Sequence, residues 1–109
     1  MLGGVGLLEE WVTVAKRGDI GEGEMIQVEL DGKAIAIAHA GEQFYAIAGE
    51  CPHQGGPIAE GELEGDIVTC PWHNFRFDFK TGRTLDPPIG NCAKFELRVA
   101  GDDIQLLNR

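Results

Sequence analysis

With 109 residues, 43% of them apolar, the chain suits one domain with a modest core, and no apolar run approaches the length of a membrane span. Nine basic against eighteen acidic residues give a formal net charge of −9, which disfavours nucleic acid because its phosphates would be repelled; a protein partner with a basic docking surface and plain solubility both fit that charge. Three cysteines cannot all pair, so a metal in a reducing compartment is a better use for some of them than a secreted disulfide scaffold.

The opening MLGGVGLLEE has no basic start and no long apolar core before a cleavage site, so a soluble, cytoplasmic protein is expected; a monomer in isolation is expected as well. GLLEEW at 6–11 has room for one helical turn at most. WVTVAK (11–16), MIQVEL (25–30), KAIAIAHA (33–40) and QFYAIA (43–48) then alternate as short strands, with Asp31-Gly32 and Ala40-Gly41 as turn signals. CPHQGGPIAEGELEGD (51–66) is dense in glycine, proline and charge and reads as loop. Its Glu60, Glu62, Glu64 and Asp66 fall at every second position, a comb that suits either guidance of a basic partner or an ordinary solvated loop.

IVTC (67–70) reads as a short strand running into the next loop, and FRFDF (75–79) alternates again. Lys80-Thr81-Gly82-Arg83 forms a hairpin turn and RTL begins a return strand, after which Asp86-Pro87-Pro88 forbids a regular central strand. AKFELRVAGDDIQLLNR reads as a last hairpin around Gly101-Asp102. The prediction is an all-β domain: a small antiparallel sandwich or barrel base from about 10–44 and 89–107, with a loop-rich unit inserted at about 45–88.

Two turn-forming segments each hold a cysteine and a histidine: C-P-H at 51–53 and C-P-W-H at 70–73. Each offers one thiolate and one imidazole, and four ligands in two short knuckles is a metal-site pattern. The segment between His53 and Cys70 allows a loop, a turn and a strand, so the two tips can face each other. Pro52 and Pro71 stiffen the tips through their fixed φ, and Gly55 and Gly56 let backbone N–H groups approach the sulfurs. A tetrahedral structural zinc and a two-iron, two-sulfide cluster both fit Cys₂His₂. The order Cys, His, Cys, His disfavours the common zinc finger, as does the lack of a helix to carry the histidines.

The whole pattern, Cys51-Pro52-His53-Gln54-Gly55-Gly56 with Cys70-Pro71-Trp72-His73, an aromatic strand, Thr81-Gly82 and Pro87-Pro88, resembles the Rieske iron–sulfur signature. The resemblance is strong over about 44–88 and looser in the flanking strands. It implies one [2Fe-2S] cluster, with Cys51 and Cys70 on one iron and His53 and His73 on the other. It implies further a Rieske-like fold with Pro87-Pro88 as a third loop covering the cluster. Two neutral imidazoles in place of two thiolates leave the oxidised cluster about neutral rather than about −2, which raises the potential relative to an all-cysteine cluster.

High-potential members of that family carry an extra cysteine near each ligand pair, joined as a disulfide, and a serine and a tyrosine bonded to cluster sulfurs. The matching positions here are Gly56 and Trp72, then Phe75 and Phe77, so the resemblance implies a centre near the bottom of the Rieske range. The expected role is a ferredoxin that performs no bond chemistry of its own and passes single electrons from a flavin-dependent reductase to a terminal oxygenase of aromatic-ring dioxygenation. The small Rieske subunit of an assimilatory nitrite reductase is the near alternative, and a zinc-bound interaction module the alternative of another class.

Among the single residues, Asn74 departs from the glycine that the family usually places after the second histidine, and asparagine tolerates the unusual backbone angles such a turn needs. Trp72 suits a shield, a docking contact or packing. Phe75, Phe77 and Phe79 share a face at period two and read as a core stripe. Cys92 reads as a buried, inert thiol and His39 as a packed or edge strand residue rather than a ligand.

Overall fold

Alternation along the chain resolves into ten short antiparallel strands, with no α-helix among the described residues, and the all-β expectation holds. The structure is a computed structural model that describes residues 10–52 and 54–108. Strands β1 (Glu10–Lys16), β2 (Met25–Leu30), β3 (Lys33–Ala40) and β4 (Gln43–Ala48) come first. Three shorter strands follow: β5 (Glu62–Glu64), β6 (Ile67–Thr69) and β7 (Arg76–Asp78). The chain closes with β8 (Lys94–Phe95), β9 (Leu97–Ala100) and β10 (Asp103–Asn108). They form three sheets, in the orders β1-β10-β9, β2-β3-β4-β8 and β5-β6-β7.

The Asp31-Gly32 pair makes the predicted hairpin turn, with φ of 55° and 81°; two consecutive positive φ values match the twist of the strands they join. The central strand β3 buries Ile35, Ala36, Ile37 and Ala38 in succession, so it is covered on both faces. On one side Ile35, Ile37 and Ala46 join Ile104 and Leu106 of β10, with Ile20 and Leu30, in the core of the base. On the other side Ala36, Ala38 and Ile47 join Ile58, Val68, Phe77, Phe79 and all three cysteines. Alanine keeps that second face of β3 shallow, and the cysteine-bearing unit packs directly on it. Fully burying each large apolar side chain here is worth about 1.5–3 kcal/mol relative to exposure.

Several sequence expectations change. The segment 51–66 is not all loop: Ile58–Glu60 forms a 3-10 turn and Glu62–Glu64 pairs with Ile67–Thr69 as β5. Leu63 packs on the core while Glu62 and Glu64 stay exposed, an alternation that the surrounding acidic residues concealed. Gly61 makes that pairing possible, because a Cβ there would lie 1.9 Å from the Thr69 carbonyl oxygen. Of FRFDF only Arg76–Asp78 is strand, and the return strand at RTL reduces to one bridge between Phe77 and Thr84. Two backbone hydrogen bonds hold that return segment to β7: Asp78 N–H donates to the Arg83 carbonyl and Leu85 N–H to the Arg76 carbonyl, each at 2.9 Å.

The last hairpin turns at Gly101 and Asp102 as expected, but Lys94–Phe95 leaves it to pair with β4. Glu10 and Trp11, placed in a possible helical turn, open β1 instead; residues 6–9 of GLLEEW lie outside the described residues. His39 is the packed strand residue expected: its ring stacks on Phe44 with centroids 4.1 Å apart, and its Nδ1 lies 2.9 Å from the Ile20 carbonyl oxygen.

Candidate metal centre

Both knuckles are closed by their own backbone. In the first, Cys51 N–H donates to the Gly56 carbonyl and Gly55 N–H donates to the Cys51 carbonyl, each at 2.8 Å. The two glycines serve different needs. Gly55 has φ +78° with open space around it, so it supplies conformation. Gly56 supplies room: a Cβ there would lie 2.8 Å from Cys70 Sγ and 3.0 Å from Trp72 Cγ. His53 lies outside the described residues.

The second knuckle begins where β6 ends. Cys70 N–H donates to the Phe75 carbonyl at 2.8 Å and closes a turn whose tip holds two consecutive positive-φ residues, His73 at 72° and Asn74 at 59°. Asparagine is among the few non-glycine residues that adopt this region readily, which accounts for Asn74 where glycine is usual. Cys51 and Cys70 are buried, whereas His73 and Asn74 are exposed and Trp72 is 47% exposed. Trp72 lies over Gly56, with its Cβ 3.1 Å from the position a Gly56 Cβ would take. The Trp72 side chain thus bridges the second knuckle to the first at Gly56.

The Cys51 and Cys70 thiols face each other closely enough to interact. Burial pushes the Cys70 thiol pKa up, as does the neighbouring Cys51, while the Trp72 backbone N–H aimed at the sulfur opposes them. Cys92, in the same core, is pushed up to about 12, chiefly by burial and then by Cys51 and Cys70, so it stays a protonated thiol at neutral pH. Phe77 and Phe79 are fully buried beside these sulfurs, and Phe75 is half-buried. Two adjacent thiols, a backbone N–H on sulfur and a glycine cradle with no room for a Cβ together fit a sulfur-bound metal group. The imidazole of His73 is exposed, its Nε2 2.7 Å from Gln54 Oε1. No three His, Cys, Asp or Glu side chains converge on one point among the described residues.

Glycine 56 therefore makes a specific prediction. Gly56→Ala should lower iron retained per chain and cost about 1–3 kcal/mol, as overpacking does. Gly18→Ala, with nothing within 4 Å of its Cβ, should stay within about 0.5 kcal/mol of the parent. Iron analysis and thermal melts of both variants check this; equal values for the two would contradict it.

A third loop reaches the first knuckle. Ile89 packs on the cysteine-bearing core, and a Cβ on Gly90 would meet Pro52 Cβ at 3.9 Å. Pro87 and Pro88, joined by a cis peptide, are exposed on this loop. Its anchor is Asp86, whose carboxylate accepts from Arg76 Nη2 at 2.9 Å, Nε at 3.2 Å and the Arg76 backbone N–H at 2.8 Å. Thr84 Oγ1 accepts from Asp86 N–H, and Asn91 Oδ1 from Thr84 N–H, each at 2.9 Å. Sequence reasoning missed this anchor. Asp86 read only as part of a strand-breaking Asp-Pro-Pro, and its partner lies ten residues back.

The Arg76 guanidinium and backbone N–H hold the Asp86 pKa below the ordinary value of 3.8. A depressed carboxylate stabilises the fold fully above its ordinary pKa and loses that contribution as pH falls through the lowered value. Asp86→Asn should therefore lower the melting temperature near neutrality and shrink the further loss as pH falls below the ordinary carboxylate value of 3.8. Melts across that range check it; parallel profiles for variant and parent would contradict it.

Comparison with known proteins agrees with this geometry. A family model described as the Rieske [2Fe-2S] domain matches residues 10–99. The ferredoxin component of a naphthalene 1,2-dioxygenase system from Pseudomonas aeruginosa is 30% identical over 101 residues, covering 92% of this chain and 97% of that protein. The ferredoxin component of naphthalene 1,2-dioxygenase/salicylate 5-hydroxylase systems from Ralstonia sp is 35% identical over 83 residues, covering 76% and 80%. Among solved structures, the ferredoxin of carbazole 1,9a-dioxygenase from Nocardioides aromaticivorans IC177 matches with a TM-score of 0.85 at 24% identity, covering 91% of this chain and 98% of that one.

Proposed function

Because this chain belongs to the Rieske [2Fe-2S] family, we propose that it is a low-potential one-electron carrier, taking electrons from a flavin-dependent reductase and delivering them to a terminal oxygenase that acts on aromatic rings. In this reading Cys51 and Cys70 hold one iron of the family's single cluster and His53 and His73 the other, within a unit spanning about 45–88. The bound cluster supplies reversible one-electron exchange. The remaining work falls to the protein.

The observation that carries the reading is the different burial of the two donor types. Cys51 and Cys70 meet in the core, whereas His73 stands at an exposed tip. Buried thiols keep solvent from the sulfur side, and an exposed imidazole edge offers a partner the shortest approach. The low potential follows from what the surrounding residues lack. Phe77 is fully buried and Phe75 half-buried, and neither has a hydroxyl to donate to sulfur. Trp72, not a disulfide, spans the knuckles at Gly56.

Partner choice is supported by the relatives, which are ferredoxin components of dioxygenase systems. Glu60 and Glu62 share a shallow groove with Cys70, Pro71 and Asn74, so a basic residue of a partner docked at the tip would find acidic counterparts beside it. Three unpaired thiols suit a reducing compartment such as the cytoplasm, and no helix among the described residues is long and apolar enough to cross a membrane.

A potentiometric titration tests the electron-carrier reading. The midpoint should fall toward the low end of the Rieske range, at about −150 mV. A value near the positive end would remove the low-potential assignment. Failure of both reduction by a flavin reductase and oxidation by a Rieske oxygenase would remove the proposed partners.

A further inference from the structure

One contact joins the exposed ends of the two knuckles: His73 Nε2 lies 2.7 Å from Gln54 Oε1, between side chains nineteen residues apart in sequence. Neutral imidazole has one N–H and one lone pair, and the hydrogen bond made by one nitrogen fixes what the other can do. With the amide oxygen as acceptor, Nε2 carries the proton and the lone pair falls on Nδ1. The imidazole stands at the tip of its knuckle's turn, where His73 and Asn74 hold consecutive positive φ values of 72° and 59°.

We infer that Gln54 is a positioning residue for His73: its side-chain carbonyl accepts the Nε2 proton, presents Nδ1 to the iron, and sets how strongly that imidazole donates. This rests on the ligand assignment proposed above. Acceptance of the N–H makes the ring a better donor, as outer hydrogen bonds do for metal-bound histidines generally. A stronger donor favours ferric over ferrous iron, so the Gln54 contact holds the reduction potential down. Gln54 is exposed, so after truncation to alanine water would take over as acceptor. Leucine keeps the bulk without the acceptor and is the informative change.

The test compares the purified iron–sulfur form of the parent with Gln54→Leu, Gln54→Glu and Gln54→Asn. Gln54→Leu should move the one-electron equilibrium about five-fold toward reduction, which is about 40 mV upward at 59 mV per tenfold. Gln54→Glu, an acceptor only, should move it by a similar factor the other way. Gln54→Asn, with the same group on a shorter arm, should fall between parent and leucine. Pulsed EPR of the reduced proteins gives a readout that a merely structural role would not move. The quadrupole coupling of the remote His73 nitrogen should change in the leucine variant and sharpen toward stronger hydrogen bonding in the glutamate variant.

Potentials of Leu and Glu variants within two-fold of the parent equilibrium, with unchanged nitrogen couplings, would overturn the inference. So would loss of iron from both, since an acceptor at 54 should suffice for assembly. Loss from the leucine variant alone would support it. A parent protein holding zinc and no iron would defeat the ligand assignment itself, before any variant is compared.

Discussion

Cys70→Ala is expected to strip the protein of iron, lowering iron per chain by more than about ten-fold and abolishing its visible absorption. Cys70 is fully buried, faces Cys51, and receives the Trp72 N–H on its sulfur. No exposed donor can replace a thiolate held in that position. Cys51→Ser should give the same loss, because a hydroxyl binds iron far more weakly than a thiolate at neutral pH.

The third buried cysteine provides the contrast. Cys92 shares the core with both, yet its position follows β7 and the Asp-Pro-Pro loop rather than either knuckle, and its thiol stays protonated. Cys92→Ala should keep full iron content and cost about 1 kcal/mol as a small cavity. Far-ultraviolet circular dichroism should show the base still folded in all three variants. Its core of Ile35, Ile37, Ile104 and Leu106 lies on the opposite face of β3 from the cysteines. Iron loss of equal size in the Cys92 variant would contradict the separation drawn between ligand and packing thiols.

Phe77→Ala should have the largest effect on stability, about 3–5 kcal/mol. Phe77 is fully buried, stands opposite Val68 in the β6–β7 register, and joins Ala36, Ala38 and Ile47 of the base to Cys70. Its removal opens a cavity in the core that base and knuckles share with Ile58, Val68 and Phe79. In a chain of this size the melting temperature should fall by more than about 10 °C. Phe77→Leu keeps most of the volume and should cost about 1–1.5 kcal/mol. Thermal unfolding of both variants measures this, and a small, equal effect for the two would place the weight of the core elsewhere.

What the sequence revealed and what it concealed have physical causes. Strands β1 to β4 were legible because their alternation is long enough to set a period, and Asp31-Gly32 names its own turn. The knuckles were legible because cysteine, histidine, proline and glycine at fixed spacing leave few other uses. Strand β5 was hidden, since its one inward residue, Leu63, is flanked by glutamates that resemble a solvated loop. The third loop was hidden for another reason. Its anchor depends on Arg76 meeting Asp86 across the return segment, and a long-range ion pair has no local signature. The double burial of β3 was likewise unreadable, because Ala36 and Ala38 alternate with isoleucine as they would on a half-exposed strand.

Asn74 changed most in meaning. As a departure from glycine it raised the question of turn geometry; its φ of +59° beside His73 at +72° shows a turn that asparagine can hold. Gln54, which read as one residue of the cluster surroundings, acquires a specific partner in His73.

The central claim is that Cys51, His53, Cys70 and His73 hold a mixed-ligand two-iron cluster. EPR of the dithionite-reduced protein, with iron and acid-labile sulfide determined on the same sample, tests it most directly. The account predicts about two irons and two sulfides per chain, and a reduced-state signal coupled to two histidine nitrogens. An EPR-silent, colourless protein with one zinc per chain would contradict it.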